Sequence, residues 1–167
     1  MASELLYMAG FEHNDLQGQI IDLGTGTGRL AIGASLMGAE SVLGADIDRR
    51  AIMLAEENER KARVDVDWVV SNLDGVHELF DTAVMNPPYG TRIPHNDTKF
   101  LSRALELAPV VYSVHKNSTR DYLLRFVEAR GWKVNEVRSM KMVIPHLFEF
   151  HRRKLKPVEV DLYRITR

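Results

Sequence analysis

The sequence predicts an α/β fold built on one mostly parallel, seven-stranded sheet with helices on both faces. Three observations carry this. Apolar, strand-like runs alternate with helical stretches from Gln19 to Ala129, which calls for parallel pairing through right-handed crossovers. A glycine-rich turn, Gly24-Thr25-Gly26-Thr27-Gly28, joins the first buried run to the first long helix. The last two runs have no helix between them, so they are expected to pair antiparallel.

Each element follows from its residues. Ser3 to Met8 reads as the end of a helix closed by Gly10. Gln19-Ile-Ile-Asp-Leu23 is a buried strand. Arg29 to Met37 is a helix of small and apolar residues ended by Gly38, and Ser41 to Asp46 is the second strand. Asp48 is placed to cap a helix from about Arg49 to Lys61. Val64 to Val70 alternates apolar and polar residues, the pattern of a half-buried edge strand. Ala83-Val84-Met85 is a short buried strand, followed by a polar loop over 91–97 and a helix over Lys99–Leu107. Val110 to Ser113 is a strand. Ser118 or Thr119 caps a helix to about Ala129, which Gly131 ends. Lys133–Val143 and Val158–Ile165 are the final strands, and 144–157 between them has no clear period. Neither repeats nor linkers appear, so the expectation is a single domain over residues 1–167.

Composition narrows the function. At 45% hydrophobic and 27% charged residues the chain is an ordinary globular protein, and 167 residues suffice for a core without staples. The lack of cysteine excludes disulfides, thiolate metal sites and a Cys nucleophile. The six histidines show no metal-ligand spacing, so no metal is expected. No apolar run approaches the ~20 residues of a membrane span, and the first residues lack the basic region of a signal peptide. The expected location is cytoplasmic, away from membranes. Net charge is only −1, yet bases dominate from Arg138 to Arg167, which suits a local nucleic-acid surface as well as a solvated charge run.

The first turn points to a cofactor. Asp22-Leu23-Gly24-Thr25-Gly26-Thr27-Gly28 spaces its glycines as G-x-G-x-G, not as the dinucleotide fingerprint, and an acid leads it. A carboxylate there suits a cationic ligand group better than a phosphate. S-adenosylmethionine, with its ammonium and sulfonium, fits; the alternative is a tight βα turn. Asp46, with Ile47 after it, ends the second strand where an acid accepts hydrogen bonds from ribose hydroxyls. Asp48 is the better helix cap, which frees Asp46 for that role. Asn72, followed by Leu73, stands where an adenine ring would lie and reads equally as its hydrogen-bond partner or as a turn closer.

The stretch Asn86-Pro87-Pro88-Tyr89-Gly90 is the chemical signature. Two prolines stop the strand because neither donates to a ladder, and each holds the residue before it extended. The result is a stiff turn presenting a side-chain amide, undistracted carbonyls and one flat ring. An ordinary Asn-Pro turn is the plain alternative.

Together, Asp22–Gly28, Asp46 and Asn86–Tyr89 resemble a Rossmann-like class I S-adenosylmethionine-dependent methyltransferase of the amino-methylating type. More closely, the chain resembles the methyltransferase-like protein 5 family of N6-adenine methyltransferases of small-subunit ribosomal RNA. The closer match rests on Asn86–Thr91, on Val111-Tyr-Ser-Val-His-Lys-Asn-Ser-Thr-Arg120, and on His151-Arg-Arg-Lys154 with Val158-Glu-Val-Asp-Leu-Tyr163. The resemblance implies methyl transfer from S-adenosylmethionine to the N6 amine of an RNA adenine. Asn86 and Pro87 would accept the amine's hydrogens, Pro88 would stiffen the turn, and Tyr89 would stack on the base. Family members usually carry an N-terminal lid over the cofactor, and with a start at Met1-Ala-Ser-Glu4 that lid is expected to be short or absent. Where relatives often have Asp, this chain has Asn72.

Further contacts follow. His115 and Lys116 end the strand beside the Asn86 turn and are expected to reach the substrate backbone, against the alternative of a strand end facing solvent. His151, Arg152, Arg153, Lys154 and Lys156 form a basic cluster suited to phosphates. The Val64–Val70 edge invites strand addition, and the resemblance implies a small zinc-binding activator protein docking there. A glutamine N5-methyltransferase acting on protein, a DNA adenine methyltransferase, and a non-catalytic RNA-binding ribosome-assembly factor are the competing readings.

Overall fold

In the computed structural model the chain is described over residues 1–87, 96–142 and 158–167, without the side chains of 96, 97 and 142. Seven strands form one sheet: β1 Gln19–Leu23, β2 Ser41–Asp46, β3 Asp67–Val70, β4 Thr82–Met85, β5 Val110–Lys116, β6 Lys133–Met142 and β7 Val158–Thr166. Their order is β3-β2-β1-β4-β5-β7-β6. The first five run parallel, while β7 slots antiparallel between β5 and β6. The predicted class, the antiparallel final pair and the edge position of the third strand all hold.

The helices are α1 Ala2–Leu6, α2 Arg29–Leu36, α3 Arg49–Ala62, α4 Asn96–Leu107 and α5 Arg120–Glu128. They cover both faces. One face packs Ile21, Met85, Leu101, Val111, Leu123 and Tyr163. The other packs Leu5, Ile20, Ala31, Val84, Tyr112 and Leu162. Burial on both faces explains why the central strands read as continuous apolar runs. None of the described helices is long and apolar enough to cross a membrane.

Local chemistry sets most boundaries. Asp48 caps α3 by accepting the Arg50 amide at 2.8 Å, a contact worth about 1 kcal/mol. Other boundaries depart from expectation. The N-terminal helix does not close at Gly10; it continues as a π-helix over Tyr7–Glu12. A Cβ on Gly10 would displace the flexible end of the Met37 side chain, and one on Gly33 the end of the Leu6 side chain. Helix α4 starts earlier than predicted, at Asn96, and β3 is shorter, beginning at Asp67. Thr119 stands at the N-cap of α5, yet its hydroxyl donates back to the Lys116 carbonyl at 2.8 Å. Strand β5 runs three residues past Ser113, because β7 supplies ladder partners as far as Lys116.

Glu12, His13 and Glu136 place ligand-type atoms close together. Arg138 bridges Glu4, Glu12 and Glu136, and His13 bonds Glu136 at 2.9 Å, so the cluster is satisfied as an ion-pair network tying the N-terminus to β6.

Candidate active site

One row of Cα partners crosses all seven strands: Val69, Ala45, Leu23, Met85, Ser113, Tyr163 and Val137. One residue further along three of the parallel strands stand Asp46, Gly24 and Asn86. The register thus brings three separate sequence signals to the same level of the carboxyl edge. The strand order reverses at β1, flanked by β2 and β4, and such a switch point opens the crevice where α/β folds bind ligands.

The turn after β1 is held open by its glycines. Gly24, Gly26 and Gly28 have φ of 71°, 56° and 82°, which L-residues adopt only at a cost. A Cβ on Gly24 would meet Phe100 Cε1 at 2.8 Å, and one on Gly28 would meet Trp68 Cη2 at 2.6 Å. At Gly26 nothing lies within 4 Å. Two glycines make room for protein; the middle one faces open space, as a ligand approach requires. The packing of Phe100 and Trp68 on this turn carries no local signal in the sequence. The turn is anchored to β2, whose Ala45 carbonyl accepts the Gly24 and Thr25 amides at 2.8 and 3.0 Å. Within it Leu23 is buried and Thr27 exposed, its carbonyl taking the Asn58 amide at 3.0 Å.

Asp22 is 1% exposed. Its Oδ2 accepts from Thr25 Oγ1 at 2.6 Å and from the Ala31 amide at 3.0 Å. Its Oδ1 is the one buried side-chain polar atom without a hydrogen-bond partner among the described residues. Burial pushes the carboxyl up to about 7; the Thr25 and Ala31 bonds oppose this and the Asp46 charge adds to it. A buried acceptor lacking a donor is costly, and a cationic ligand group supplies what it lacks. The residues present therefore fit the ammonium of S-adenosylmethionine.

Asp48 caps α3, which leaves Asp46 out of the cap as expected, but Asp46 holds two backbone amides of its own. Its Oδ2 accepts the Gly26 amide at 2.8 Å and its Oδ1 the Asp48 amide at 2.9 Å. Each oxygen keeps a second lone pair, and the two bonds fix its aim across the turn. Ile47 beside it is 74% exposed. The Asp46 carbonyl accepts the Ser71 amide at 2.9 Å, which brings the next loop alongside. There Asn72 is exposed and precedes the 3₁₀ turn Leu73–Gly75, its side chain making no cap bond. Leu73 is half-buried, its carbonyl held by Arg103 Nε at 3.1 Å.

Asn86 is half-buried and Pro87 buried at the end of β4. Pro88, Tyr89 and the cluster His151, Arg152, Arg153, Lys154 and Lys156 lie outside the described residues. His115 departs from expectation. It is 2% exposed, with Nε2 2.5 Å from Ser113 Oγ and its ring edge-on to Tyr163. The longer β5 draws it into the sheet opposite Asp161, so it neither faces solvent nor presents itself to a polynucleotide backbone. Lys116, one residue on, is half-exposed. Sequence reasoning passed over Asp161, Arg120 and Tyr163, although they lie in the stretches that carry the resemblance.

A family model described as ribosomal protein L11 methyltransferase (PrmA) matches residues 6–87, the half that holds the glycine turn and Asp46. The chain is 34% identical to the rRNA N(6)-adenosine-methyltransferase METTL5 of Danio rerio, over 99% of this chain and 84% of the relative. It is 37% identical to the Mettl5 protein of Drosophila melanogaster, over 92% of this chain and 76% of that one. The crystal structure of PH1948 from Pyrococcus horikoshii superposes with a TM-score of 0.88 at 35% identity, covering 99% of this chain and 82% of that chain.

Proposed function

The chain belongs to the METTL5 family of rRNA N(6)-adenosine methyltransferases, and on that premise we propose that it methylates the N6 amine of an adenine in RNA, with small-subunit ribosomal RNA as the target. The observation that carries the reading is the shared level of Asp46, Gly24 and Asn86 on one sheet edge, beside a buried Asp22 oxygen that lacks a donor.

Bound S-adenosylmethionine supplies a methyl group on a sulfonium. Asp22 receives its ammonium, the open face of Gly26 admits it, and Asp46 takes its ribose hydroxyls. Ile47 and Leu73 offer apolar surface to the adenine ring, and Asn72 meets that ring's polar edge. The target amine is conjugated with its own ring and is a poor nucleophile. Asn86 Oδ1 and the Pro87 carbonyl accept its two hydrogens and stabilise the positive charge that grows on nitrogen. This is oxyanion-hole preorganisation with the sign reversed. Holding amine and methyl near contact adds the proximity term. Pro88 stiffens the turn and Tyr89 stacks on the base, which must be unpaired or flipped out to enter. Lys116 and the cluster His151–Lys154 with Lys156 contact phosphates. No strong base is needed, since the proton leaves after transfer.

A zinc-binding activator protein belongs to the same proposal, docking on β3. That strand pairs only with β2 among the described residues, and Val70 at its end is 49% exposed. The proposed setting is the cytoplasm.

The test is transfer of labelled methyl to total RNA, ribosomal subunits and total protein offered in parallel, with digestion of the product. Label in N6-methyladenosine is the expected result. Label in glutamine would replace RNA by protein as the substrate, and no label beside tight RNA binding would favour a scaffold.

A further inference from the structure

The two stretches 111–120 and 158–163 meet around one carboxylate. Asp161 of β7 is fully buried. Arg120 donates to it twice, Nε to Oδ2 at 2.8 Å and Nη2 to Oδ1 at 2.6 Å. Asn117 Nδ2 adds contacts at 3.2 and 3.3 Å, Ser139 Oγ donates at 3.0 Å and the Tyr163 hydroxyl at 3.3 Å. Burial alone would raise this carboxyl; the Arg120, Asn117 and Ser139 bonds outweigh burial and hold it below its ordinary value.

The pair is a weak source of stability, because burying the Asp161 carboxylate costs desolvation while the Arg120 side chain stays partly exposed. What it supplies is direction: a bidentate guanidinium tolerates little rotation. Here it joins three segments, the turn Asn117–Arg120 after β5, Ser139 of β6, and β7 itself. The register carries the constraint inward. Asp161 is opposite His115, Tyr163 opposite Ser113, and Ser113 opposite Met85, the residue before Asn86. His115 closes the gap, meeting Ser113 on one side and Tyr163 on the other.

We propose that Asp161, gripped by Arg120, is the positioning residue of the transfer site: it fixes the carboxyl end of β5 through His115 and Ser113 and thereby holds Asn86 and Pro87 in place. The inference rests on the methyl-transfer reading of Asn86.

The experiment compares Asp161→Asn and Ser139→Ala with Asp15→Asn. Asp15 centres a second polar cluster on the opposite face, accepting from the Tyr112 hydroxyl at 2.6 Å and Arg164 Nε at 2.9 Å. For each variant kcat, KM for RNA, cofactor affinity, Tm and amide exchange at Met85 and Asn86 are measured. In Asp161→Asn kcat falls about 10- to 100-fold, the scale of a small misplacement of reacting groups, while KM and cofactor affinity stay within about twofold. Exchange quickens at Met85 and Asn86 but not at Gly24–Gly28. Ser139→Ala shows the same split more weakly, and decides the matter if Asp161→Asn does not fold. Asp15→Asn lowers Tm and leaves kcat unchanged.

An unchanged kcat in a folded Asp161→Asn protein overturns the proposal. So does a loss shared equally by kcat, KM and cofactor affinity, or an equal kcat loss in Asp15→Asn. If the wild type transfers no methyl to RNA, the functional reading fails by itself. The positioning inference then stands or falls on the exchange at Met85 and Asn86.

Discussion

Thr25 Oγ1 donates to Asp22 Oδ2 across 2.6 Å, so a buried carboxylate near the end of β1 clamps the turn that leaves it. The other oxygen, Oδ1, has no hydrogen-bond partner among the described residues. Asp22 is thus a brace for the glycine turn, and the proposed function gives its second oxygen to the cofactor's ammonium.

Burial of this carboxyl should make cofactor binding depend on pH. Burial raises the Asp22 carboxyl from 3.8 to about 7, so the folded protein keeps a proton there that the unfolded chain loses. Stability therefore falls as pH rises from about 4 to 7 and levels off above. A cationic ligand prefers the carboxylate, so its affinity moves the other way. Calorimetry should find cofactor binding about tenfold tighter at pH 8 than at pH 6, with proton release on binding. Asp22→Asn should bind weakly with no such slope, and an unchanged slope in that variant would refute the assignment.

The glycines of the turn should separate by role. Gly26→Ala costs about 1–2 kcal/mol of stability for its left-handed backbone and weakens cofactor binding at least tenfold, because the new methyl occupies the open approach. Gly28→Ala carries the same backbone cost and must also displace the Trp68 ring. Its Tm should drop further. Thermal melts with and without cofactor distinguish the two, and equal Tm losses would contradict the packing described.

Asp46 holds two amides on its own account. Asp46→Ala should weaken cofactor binding by roughly 10- to 100-fold, the value of about one hydrogen bond to a charged acceptor. Part of that loss is the freed Gly26 amide. Asp46→Asn keeps one acceptor and should fall between. Cofactor titration of both variants is the measurement.

Asn86→Ala should lower turnover roughly 10²–10³-fold, by analogy with removing one oxyanion-hole donor. Cofactor affinity should change little, since the glycine turn and Asp46 are untouched. Methyl-transfer rates beside calorimetry check both halves. Near-normal turnover would end the amine-clamp mechanism.

Charge reversal of Arg152 and Arg153 should weaken RNA binding and flatten its dependence on salt by about one unit of slope per lost phosphate contact. Binding isotherms at several ionic strengths provide the comparison. A slope equal to the wild type would remove this cluster from the RNA surface.

Much of the architecture was legible because it is locally encoded. Asp48 capping α3, positive φ at three spaced glycines, and the end of β4 at Met85, just before Asn86-Pro87, each depend on neighbours a few residues away. The alternation of strands and helices, with none between the last two strands, was enough for the sheet and its antiparallel end.

The amino-acid sequence by itself determined the fold class, the glycine-rich turn after β1 and the family. Tertiary structure alone decided how those pieces meet. The insertion of β7 between β5 and β6 is a pairing between distant segments that no local period announces. It lengthens β5, buries His115 and gathers Arg120, Asn117 and Ser139 around Asp161. Gly10 is legible only against Met37, and Gly28 only against Trp68. Propensity and periodicity act over one or two turns of chain, whereas burial and ion pairing depend on which distant surfaces the completed sheet brings into contact.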